Sequence, residues 1–408
     1  MFDRTAENLI QKAHKAWGKM VFLSGPRQAG KTTLAKVYQK KYHTSIYFNW
    51  DNYDDQKKLL KDPYFFQNLD RNPAEKPLVV FDEIHKYSRW KNYLKGVYDT
   101  YASDFDFLIT GSGRLDLFKK GGDSLSGRYI PLKLFPLSVG ELLGNCTSQN
   151  EFLSSWNDPA NEACIKDTAG PFDNLWRFSG FPDPLSKKDI GYYFIWQTER
   201  KKALLREDVQ YLSHVREISQ LEMLTHLLPE RVGSPLSING LKEDLGTAFE
   251  TIRDWISLLE NLYYCFRIYP FFVRLHRTLK KEAKLYLYDW NEVSDEGARF
   301  ENLVAVHLLK AVETWNEMGG KPCQLFYIRD KEKREVDFVV CQAKKPLFLV
   351  EAKMRSLNVS PSLIYYQEKL NIPIAFQVVL DEKILRKSRH NGKIQWVCSA
   401  GTFLAKLP

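Results

Sequence analysis

The chain has 408 residues, of which 44% are hydrophobic and 27% charged, and its formal net charge is +9. This composition excludes a largely disordered chain, because there is enough apolar surface to bury several cores. It predicts two or three domains, and the positive charge favours an anionic partner such as nucleic acid.

The sequence contains no apolar run long enough to span a bilayer, so we expect no membrane partner. Residues 1–17 alternate charged and apolar residues, as an amphipathic helix does, and lack the apolar core of a signal peptide. The six cysteines stand singly, which favours neither a disulfide framework nor a zinc knuckle. We therefore expect a cytoplasmic protein, whose subunit number the sequence does not define.

Residues 1–150 alternate short apolar strands with helical segments. The predicted strands are Met20–Ser24, Ser45–Asn49, Leu78–Asp82 and 105–110. Because buried strands separated by helices form parallel sheets covered on both faces, we expect an α/β domain here.

Directly after the first strand, residues 25–33 read GPRQAGKTT and fit the pattern G-x-x-x-x-G-K-T. Glycines at both ends let successive backbone N–H groups point at phosphate oxygens. Lys31 is expected to reach the β and γ phosphates of ATP, and the Thr32 hydroxyl to ligate Mg²⁺. The predicted nucleotide-binding residues of this loop are Gly25, Pro26, Arg27, Gln28, Ala29, Gly30, Lys31, Thr32 and Thr33.

An acidic pair ends the third predicted strand, in the run LVVFDE. We expect Asp82 to hold Mg²⁺ through water and Glu83 to orient or deprotonate the attacking water. The alternative is a solvated strand end with no catalytic role.

The fourth predicted strand ends in polar groups, of which Thr110 or Ser112 could sense the γ phosphate. A positive charge is also needed for the developing transition state. Arg128 is the first candidate and Arg114 the second, although either could be a surface or structural arginine.

The middle of the chain divides into two segments. Residues 151–213 are helical, aromatic and basic, which predicts a lid or connector. Residues 214–290 predict three helices followed by a β-hairpin, the order of a winged helix. The third helix is expected to open with a capping box formed by Thr247 and Glu250.

Six cations fall around the expected wing, and they could follow a phosphate backbone. They are Arg267, Arg274, Arg277, Lys280, Lys281 and Lys284. The third helix would then be the recognition helix, with Arg253 as its main base-reading residue. We expect a nucleic-acid partner, DNA in the first instance; the alternative is a packing module whose cations are solvated.

Residues 291–408 predict a compact α/β module with a candidate hydrolytic site. Glu351 and Lys353 share one strand face because side chains alternate, and Asp337 lies on the neighbouring strand of a hairpin. Two carboxylates holding Mg²⁺ beside a lysine form a site for phosphodiester hydrolysis, and Glu301 could add a further metal ligand. The alternative is an ion pair at an exposed strand edge.

The stretches SGPRQAGKTTLAK, LVVFDEIH, LITGSGR and FSGFPDP together resemble the AAA-like ATPase domain of a bacterial and archaeal family with an uncharacterised C-terminal domain. The order of Glu301, Asp337 and the Glu351-x-Lys353 pair resembles the PD-(D/E)xK nuclease fold, with Val336 where that signature has proline. The resemblance implies a P-loop ATPase core, a helical lid, a winged helix and a restriction-endonuclease-like domain.

Two functional hypotheses follow from these features. The first is an ATP-hydrolysing AAA-like domain coupled to a nucleic-acid-binding winged helix and a metal-dependent nuclease. The second is a nucleotide-gated switch that binds DNA or protein and carries a catalytically silent C-terminal domain. A motor that remodels nucleic acid or protein as an oligomer is a third, weaker reading.

Overall fold

The computed structural model describes residues 2–70, 75–113, 125–156, 168–209, 217–271, 282–380 and 383–408. Within these ranges the chain forms two β-sheets, one of five strands and one of eight.

The five-stranded sheet is entirely parallel, as predicted. Its strands are β1 (Met20–Ser24), β2 (Ser45–Asn49), β3 (Leu78–Asp82), β4 (Asp106–Gly111) and β5 (Tyr129–Lys133), in the order β2-β3-β4-β1-β5. Because all strands run in one direction, the carboxyl ends of β1, β3 and β4 meet at one edge. The phosphate loop and the acidic pair both follow strands that end there.

Helices cover both faces of this sheet because its strands are apolar on both sides. Val21 and Leu23 pack with α1 (Thr5–Trp17) and α2 (Lys31–Gln39) on one face. Met20 and Phe22 pack with α4 (Trp90–Tyr101) on the other, and α3 (Tyr53–Lys61) lies beside β2. Strand β5 was not among the predicted strands.

The connecting segment is helical, as predicted. It contains α5 (Val139–Leu142), α6 (Gln149–Ser154), α7 (Ala169–Phe178), α8 (Pro182–Lys187) and α9 (Ile190–Ala203), and a π-helical turn extends α9 over Leu204–Asp208. The indole N–H of Trp290 donates to the carbonyl of Leu175 at 3.0 Å, so this segment packs against the C-terminal half of the chain.

Three helices and an antiparallel hairpin follow in the predicted order. The helices are α10 (Ile218–Leu227), α11 (Ile238–Leu245) and α12 (Phe249–Asn261), and the hairpin pairs β6 (Cys265–Pro270) with β7 (Lys284–Leu287). The predicted capping box was wrong: α12 begins one residue later than expected, with Ala248 as its N-cap. Glu250 pairs with Arg253 instead of closing on Thr247.

The eight-stranded sheet has the order β12-β13-β11-β10-β9-β8-β6-β7. Its remaining strands are β8 (Cys323–Arg329), β9 (Glu335–Gln342), β10 (Lys345–Lys353), β11 (Ile374–Val379), β12 (Leu385–His390) and β13 (Lys393–Ser399). Three helices accompany them: α13 (Glu296–Glu317), α14 (Pro361–Lys369) and α15 (Ala400–Ala405). The hairpin of β9 and β10 was predicted, whereas β12 and β13 were not.

The expected wing hairpin belongs to this larger sheet, because β6 pairs with β8 through Tyr269 and Phe326. The predicted boundary at residue 290 therefore cuts through one sheet. A single apolar cluster also joins the two halves of the molecule: Phe152 of the connector packs against Phe348 and Phe376, at ring-centroid distances of 5.3 and 6.0 Å. In the described ranges, every helix is too short or too polar to cross a membrane.

Candidate nucleotide site and C-terminal carboxylate cluster

The loop between β1 and α2 has backbone conformations that suit glycine. Gly25 and Gly30 have φ values of +151° and +98°, and Gln28 also lies in the left-handed region at 65°. A Cβ atom on Gly25 would lie 2.3 Å from the carbonyl oxygen of Leu134, which no side chain tolerates. The tight bend expected of a phosphate loop is therefore present.

The N-terminus of α2 directly follows this loop and provides backbone N–H groups for a ligand. Gly30 is the N-cap residue, no side chain caps the helix, and its first turn contains no acidic residue. The first amides of a helix have no intrahelical partners and carry partial positive charge. Together with the loop they form an anion site of the kind that phosphate groups occupy.

Lys31 is held at the mouth of the loop. It is buried, and its Nζ donates to the carbonyls of Gly25 and Pro26, each at 2.8 Å. These contacts keep the ammonium group beside the loop amides, where it can face a triphosphate.

Asp82 joins the phosphate loop to the neighbouring strands. The Thr32 hydroxyl donates to Asp82 Oδ2 at 2.8 Å, and the hydroxyls of Thr110 and Tyr47 also donate to this carboxylate. A carboxylate beside the loop hydroxyl is the oxygen donor set that Mg²⁺ prefers, so the residues present fit this ion. Tyr47, on β2, was not predicted, because nothing in its local sequence indicates which carboxylate it meets.

Glu83 follows Asp82 in a left-handed conformation, with φ of 56°. Burial raises the pKa of Glu83 to about 7, against the opposing charge of Lys31. Its Oε2 atom accepts no hydrogen bond from the described residues, and His85 Nε2 lies 3.5 Å away. Burial also lowers the pKa of His85 to about 3, so this ring is neutral. A carboxylate whose pKa is raised towards neutral pH is suited to accept a proton.

A cavity of about 750 Å³ lies over these groups. The loop and the acidic pair line one side, and Ser112 lies on the same wall, whereas the Thr110 hydroxyl is already bound to Asp82. Pro182 and Asp183 of α8 line another part of the cavity, so the connector contributes to the site as expected of a lid.

The prediction that Arg128 stabilises the transition state was wrong for the nucleotide site that the same chain forms. Arg128 precedes Tyr129, which pairs with Met20 at the start of β1, whereas the phosphate loop follows Ser24 at the other end. That separation is about 13 Å along the strand. The guanidinium is instead paired with Asp99, with Nε 2.6 Å from Oδ1. Arg114 lies outside the described residues.

The C-terminal cluster brings together the acid–x–lysine pair and Asp337. Lys353 Nζ lies 2.9 Å from Glu351 Oε1, and Asp337 accepts the amide N–H of Ala352 at 2.9 Å. The second carboxylate oxygen of Glu351 accepts no hydrogen bond within the described residues. Burial and the nearby Asp337 raise the pKa of both Glu351 and Glu301 to about 7.

Lys284 enters this cluster from β7, where it was expected to be a solvated wing cation. Its side chain is 1% exposed, and Nζ lies 3.0 Å from Glu301, 2.5 Å from Glu335 and 3.7 Å from Asp337. Burial alone favours the neutral amine, yet the surrounding carboxylates raise the pKa of Lys284 above its usual value. An ammonium group thus lies among the carboxylates that were expected to hold Mg²⁺.

The predicted metal site formed by Glu301, Asp337 and Glu351 therefore gains no support from this geometry and stays a prediction. Across the part of the chain that the structure describes, no three or more His, Cys, Asp or Glu side chains are arranged to hold a metal ion. Glu301 Oε1 accepts hydrogen bonds from Lys284 and from the hydroxyl of Tyr286, the latter at 2.7 Å.

The other expected wing cations are either engaged or undescribed. Arg267 Nε donates to Glu260 at 2.9 Å. Arg253, expected to be the base-reading residue of the third helix, pairs with Glu250 and Asp254. The remaining four lie outside the described residues: Arg274, Arg277, Lys280 and Lys281.

Comparison with known families identifies one of the three parts of the chain by function. Residues 18–143 match the model described as an AAA domain. Residues 170–290 and 296–400 match two models, each described as a domain of unknown function, DUF8612 and DUF4143. The N-terminal part is an AAA-like ATPase domain with a P-loop, as the loop geometry indicates.

The relatives extend over most of the chain. An uncharacterized protein of Haemophilus influenzae is 23% identical over 357 residues, covering 80% of each chain. An uncharacterized protein of Methanocaldococcus jannaschii is 24% identical over 374 residues, covering 86% of this chain and 79% of the relative.

Among solved structures, a STAND signal-transduction ATPase with a tetratricopeptide repeat sensor from Pyrococcus horikoshii is 15% identical, with a TM-score of 0.28. The match covers 78% of this chain and 47%, about half, of that protein. A katanin structure is 16% identical, with a TM-score of 0.28 and coverage of 54% of this chain and 75% of the other. Both TM-scores are low, and neither structure informs the function of this chain.

Proposed function

We propose that this protein binds and hydrolyses ATP at the phosphate loop, and that its nucleotide state acts as a switch on the rest of the molecule. The contact that supports this most directly is the one between Thr32 and Asp82 at 2.8 Å, with Glu83 directly after Asp82. The loop hydroxyl, the carboxylate that would hold a metal ion and the candidate base line one cavity.

Each residue has a separate role in this proposal. The loop amides and Lys31 bind the β and γ phosphates, and Ser112, which lines the same cavity, contacts the γ phosphate. Glu83 accepts a proton from the attacking water. Mg²⁺, when bound, supplies positive charge against the phosphates; Thr32 and Asp82 are the residues that would hold it.

The experiment that tests the proposal is ATP turnover by Glu83→Gln. The amide keeps the shape of the side chain but accepts no proton, so turnover should fall by about 100-fold or more while ATP affinity changes little. Asp183→Asn is a matched control, because Asp183 lines another part of the same cavity and accepts a hydrogen bond from the Tyr192 hydroxyl at 2.6 Å. Turnover by Glu83→Gln within about twofold of the wild type would contradict the proposal.

We also propose that the C-terminal module is catalytically silent. Lys284 supports this, because its ammonium group pairs with Glu301 and lies 3.7 Å from Asp337, two of the three carboxylates that a nuclease would use to hold metal ions. The competing proposal is a metal-dependent nuclease with the PD-(D/E)xK fold. Its support is the pairing of Lys353 with Glu351 and the unbound second oxygen of Glu351.

Incubation of plasmid DNA with Mn²⁺, with and without ATP, separates these two proposals. We expect no nicking by the wild-type protein under either condition. Nicking by the wild type that disappears in Asp337→Ala and in Lys353→Ala would establish the nuclease and remove the silent-module proposal. Equal nicking by all three proteins would indicate a contaminating nuclease.

Contact with nucleic acid, DNA in the first instance, is proposed at a different surface from the expected wing. Strand β12 is the edge of the eight-stranded sheet, and its residues 386–390 are all exposed. Three of them, Arg386, Lys387 and Arg389, are cations, and the exposed Lys383 precedes the strand. Positive charge along one edge is the feature that would contact a phosphate backbone. The alternative is that these cations only prevent edge-to-edge association.

A further inference from the structure

The guanidinium of Arg4 connects the phosphate loop to the rest of the chain. Arg4 precedes α1, is 8% exposed, and its NH1 donates to the carbonyl of Ala29 in the loop at 2.8 Å. Its NH2 donates to the carbonyl of Phe135, and its Nε to Glu141 Oε1 at 3.2 Å. One buried side chain therefore fixes a loop carbonyl relative to the segment after β5.

Glu141 and Lys310 extend this contact to the C-terminal module. Glu141 also accepts the amide N–H of Thr5 at 2.8 Å, and its Oε2 lies 2.6 Å from Lys310 Nζ. Lys310 belongs to α13, is 4% exposed, and donates to the Ser138 hydroxyl at 2.9 Å. Burial lowers the pKa of Lys310 to about 8, although the charge of Glu141 opposes this change. Burial by itself would raise the pKa of Glu141, but the charges of Arg4 and Lys310 outweigh it and lower that pKa.

The surrounding backbone leaves this network little room to adjust. The carbonyl of Leu134 lies against Gly25, and the amide of Leu134 donates to the carbonyl of Ser24 at 2.8 Å. On the other side, a Cβ atom on Gly140 would lie 1.7 Å from the carbonyl oxygen of Leu407. A displacement of α13 or of the end of the chain would therefore be transmitted to Glu141 and Arg4.

We infer that Arg4 is a positioning residue for the phosphate loop, and that Lys310 of the C-terminal module controls it through Glu141. The inference rests on the proposed function, because it requires ATP to bind at the loop. Its consequence is that Lys310, which does not line the nucleotide cavity, changes ATP affinity through Arg4, which does. The C-terminal module and the nucleotide site are then energetically coupled in both directions.

The test is ATP affinity, measured by titration calorimetry of the full chain. Arg4→Met should weaken ATP binding about tenfold, because the loop loses a charge-assisted contact. Lys310→Met and Glu141→Gln should each weaken it about threefold to tenfold. Arg4→Met combined with Lys310→Met should be no weaker than Arg4→Met alone, since both act through one contact. Arg4→Lys should restore part of the affinity.

Lys12→Met is the matched control, because Lys12 also links α1 to the end of α13, by donating to the carbonyl of Met318 at 3.1 Å, but it does so at the exposed surface. Thermal unfolding of each variant separates loss of affinity from loss of stability. The inference is overturned if Lys310→Met and Glu141→Gln unfold at lower temperature but bind ATP as tightly as Lys12→Met does. It is also overturned if the effects of Arg4→Met and Lys310→Met on ATP affinity multiply in the double variant. A wild-type chain that binds no ATP would overturn the proposed function first, and the inference with it.

Discussion

At the scale of single residues, Glu83 has the properties that a catalytic base needs at neutral pH. It lies next to Asp82, the carboxylate proposed to hold Mg²⁺, and burial raises its pKa to about 7; within the described ranges its Oε2 atom accepts no hydrogen bond. The backbone at this position is in a conformation that non-glycine residues rarely adopt, at φ of 56°. Such conformations persist where the surrounding structure fixes them, and they are common at functional sites.

This pKa predicts the pH dependence of catalysis. A base must be deprotonated to accept a proton, so kcat/KM for ATP should rise with pH and level off above about 7. The profile should follow one ionisation, because kcat/KM reports groups of the free enzyme. Steady-state turnover measured between about pH 5.5 and pH 8.5 checks this. A profile that is flat over this range, as an ordinary glutamate with a pKa of about 4.3 would give, would contradict the role of Glu83.

The sequence predicts those residues of the nucleotide site that belong to one continuous motif or to the end of a neighbouring strand. Gly25, Lys31 and Thr32 belong to one loop, and Asp82 ends a strand whose direction is fixed by the parallel sheet. The contacts of Tyr47 and Arg4 could not be predicted, because each partner is distant in the sequence. Asp82 lies 35 residues from Tyr47, and Ala29 lies 25 residues from Arg4. Lys284 was misinterpreted for a similar reason: charge in a basic stretch indicates exposure, and only the tertiary fold shows burial.

At the scale of elements, strand β12 has an unusual composition for a sheet. Five of its six residues are exposed, and the strand pairs only with β13. Its pattern LRKSRH lacks the apolar alternation that identifies half-buried strands, so the sequence did not predict it. In contrast, β1, β3 and β11 are mostly apolar and entirely buried, and these were predicted with their residues nearly correct.

The proposed nucleic-acid contact of β12 predicts a specific salt dependence. Each lost phosphate contact lowers the slope of log affinity against log salt by about 0.9, so replacing both Arg386 and Arg389 by glutamine should lower it by about 2. Fluorescence anisotropy with a DNA duplex over a salt series measures this. Lys57→Gln with Lys61→Gln is the control, because it removes the same charge from the exposed surface of α3. Equal slopes for the two double variants would rule out this surface.

At the scale of the whole molecule, the modules that the sequence separates are packed together. The expected wing hairpin completes the C-terminal sheet, and the end of the chain packs against Gly140 in the connector. Domain boundaries were predicted from changes in local pattern, and such changes do not show which strands later pair. The architecture that results places the nucleotide cavity between the parallel sheet and the connector, with the C-terminal module in contact through α13.

The measurement that tests the central claim most directly is the affinity of the full chain for ATP in the presence of Mg²⁺, compared with that of Lys31→Ala. The wild type should bind one ATP per chain, and Lys31→Ala should bind about a hundredfold more weakly, because a charge-assisted contact to the phosphates is lost. Lys40→Ala, at the other end of the same helix, should bind as the wild type does. Equal ATP affinity in Lys31→Ala and the wild type would contradict the account.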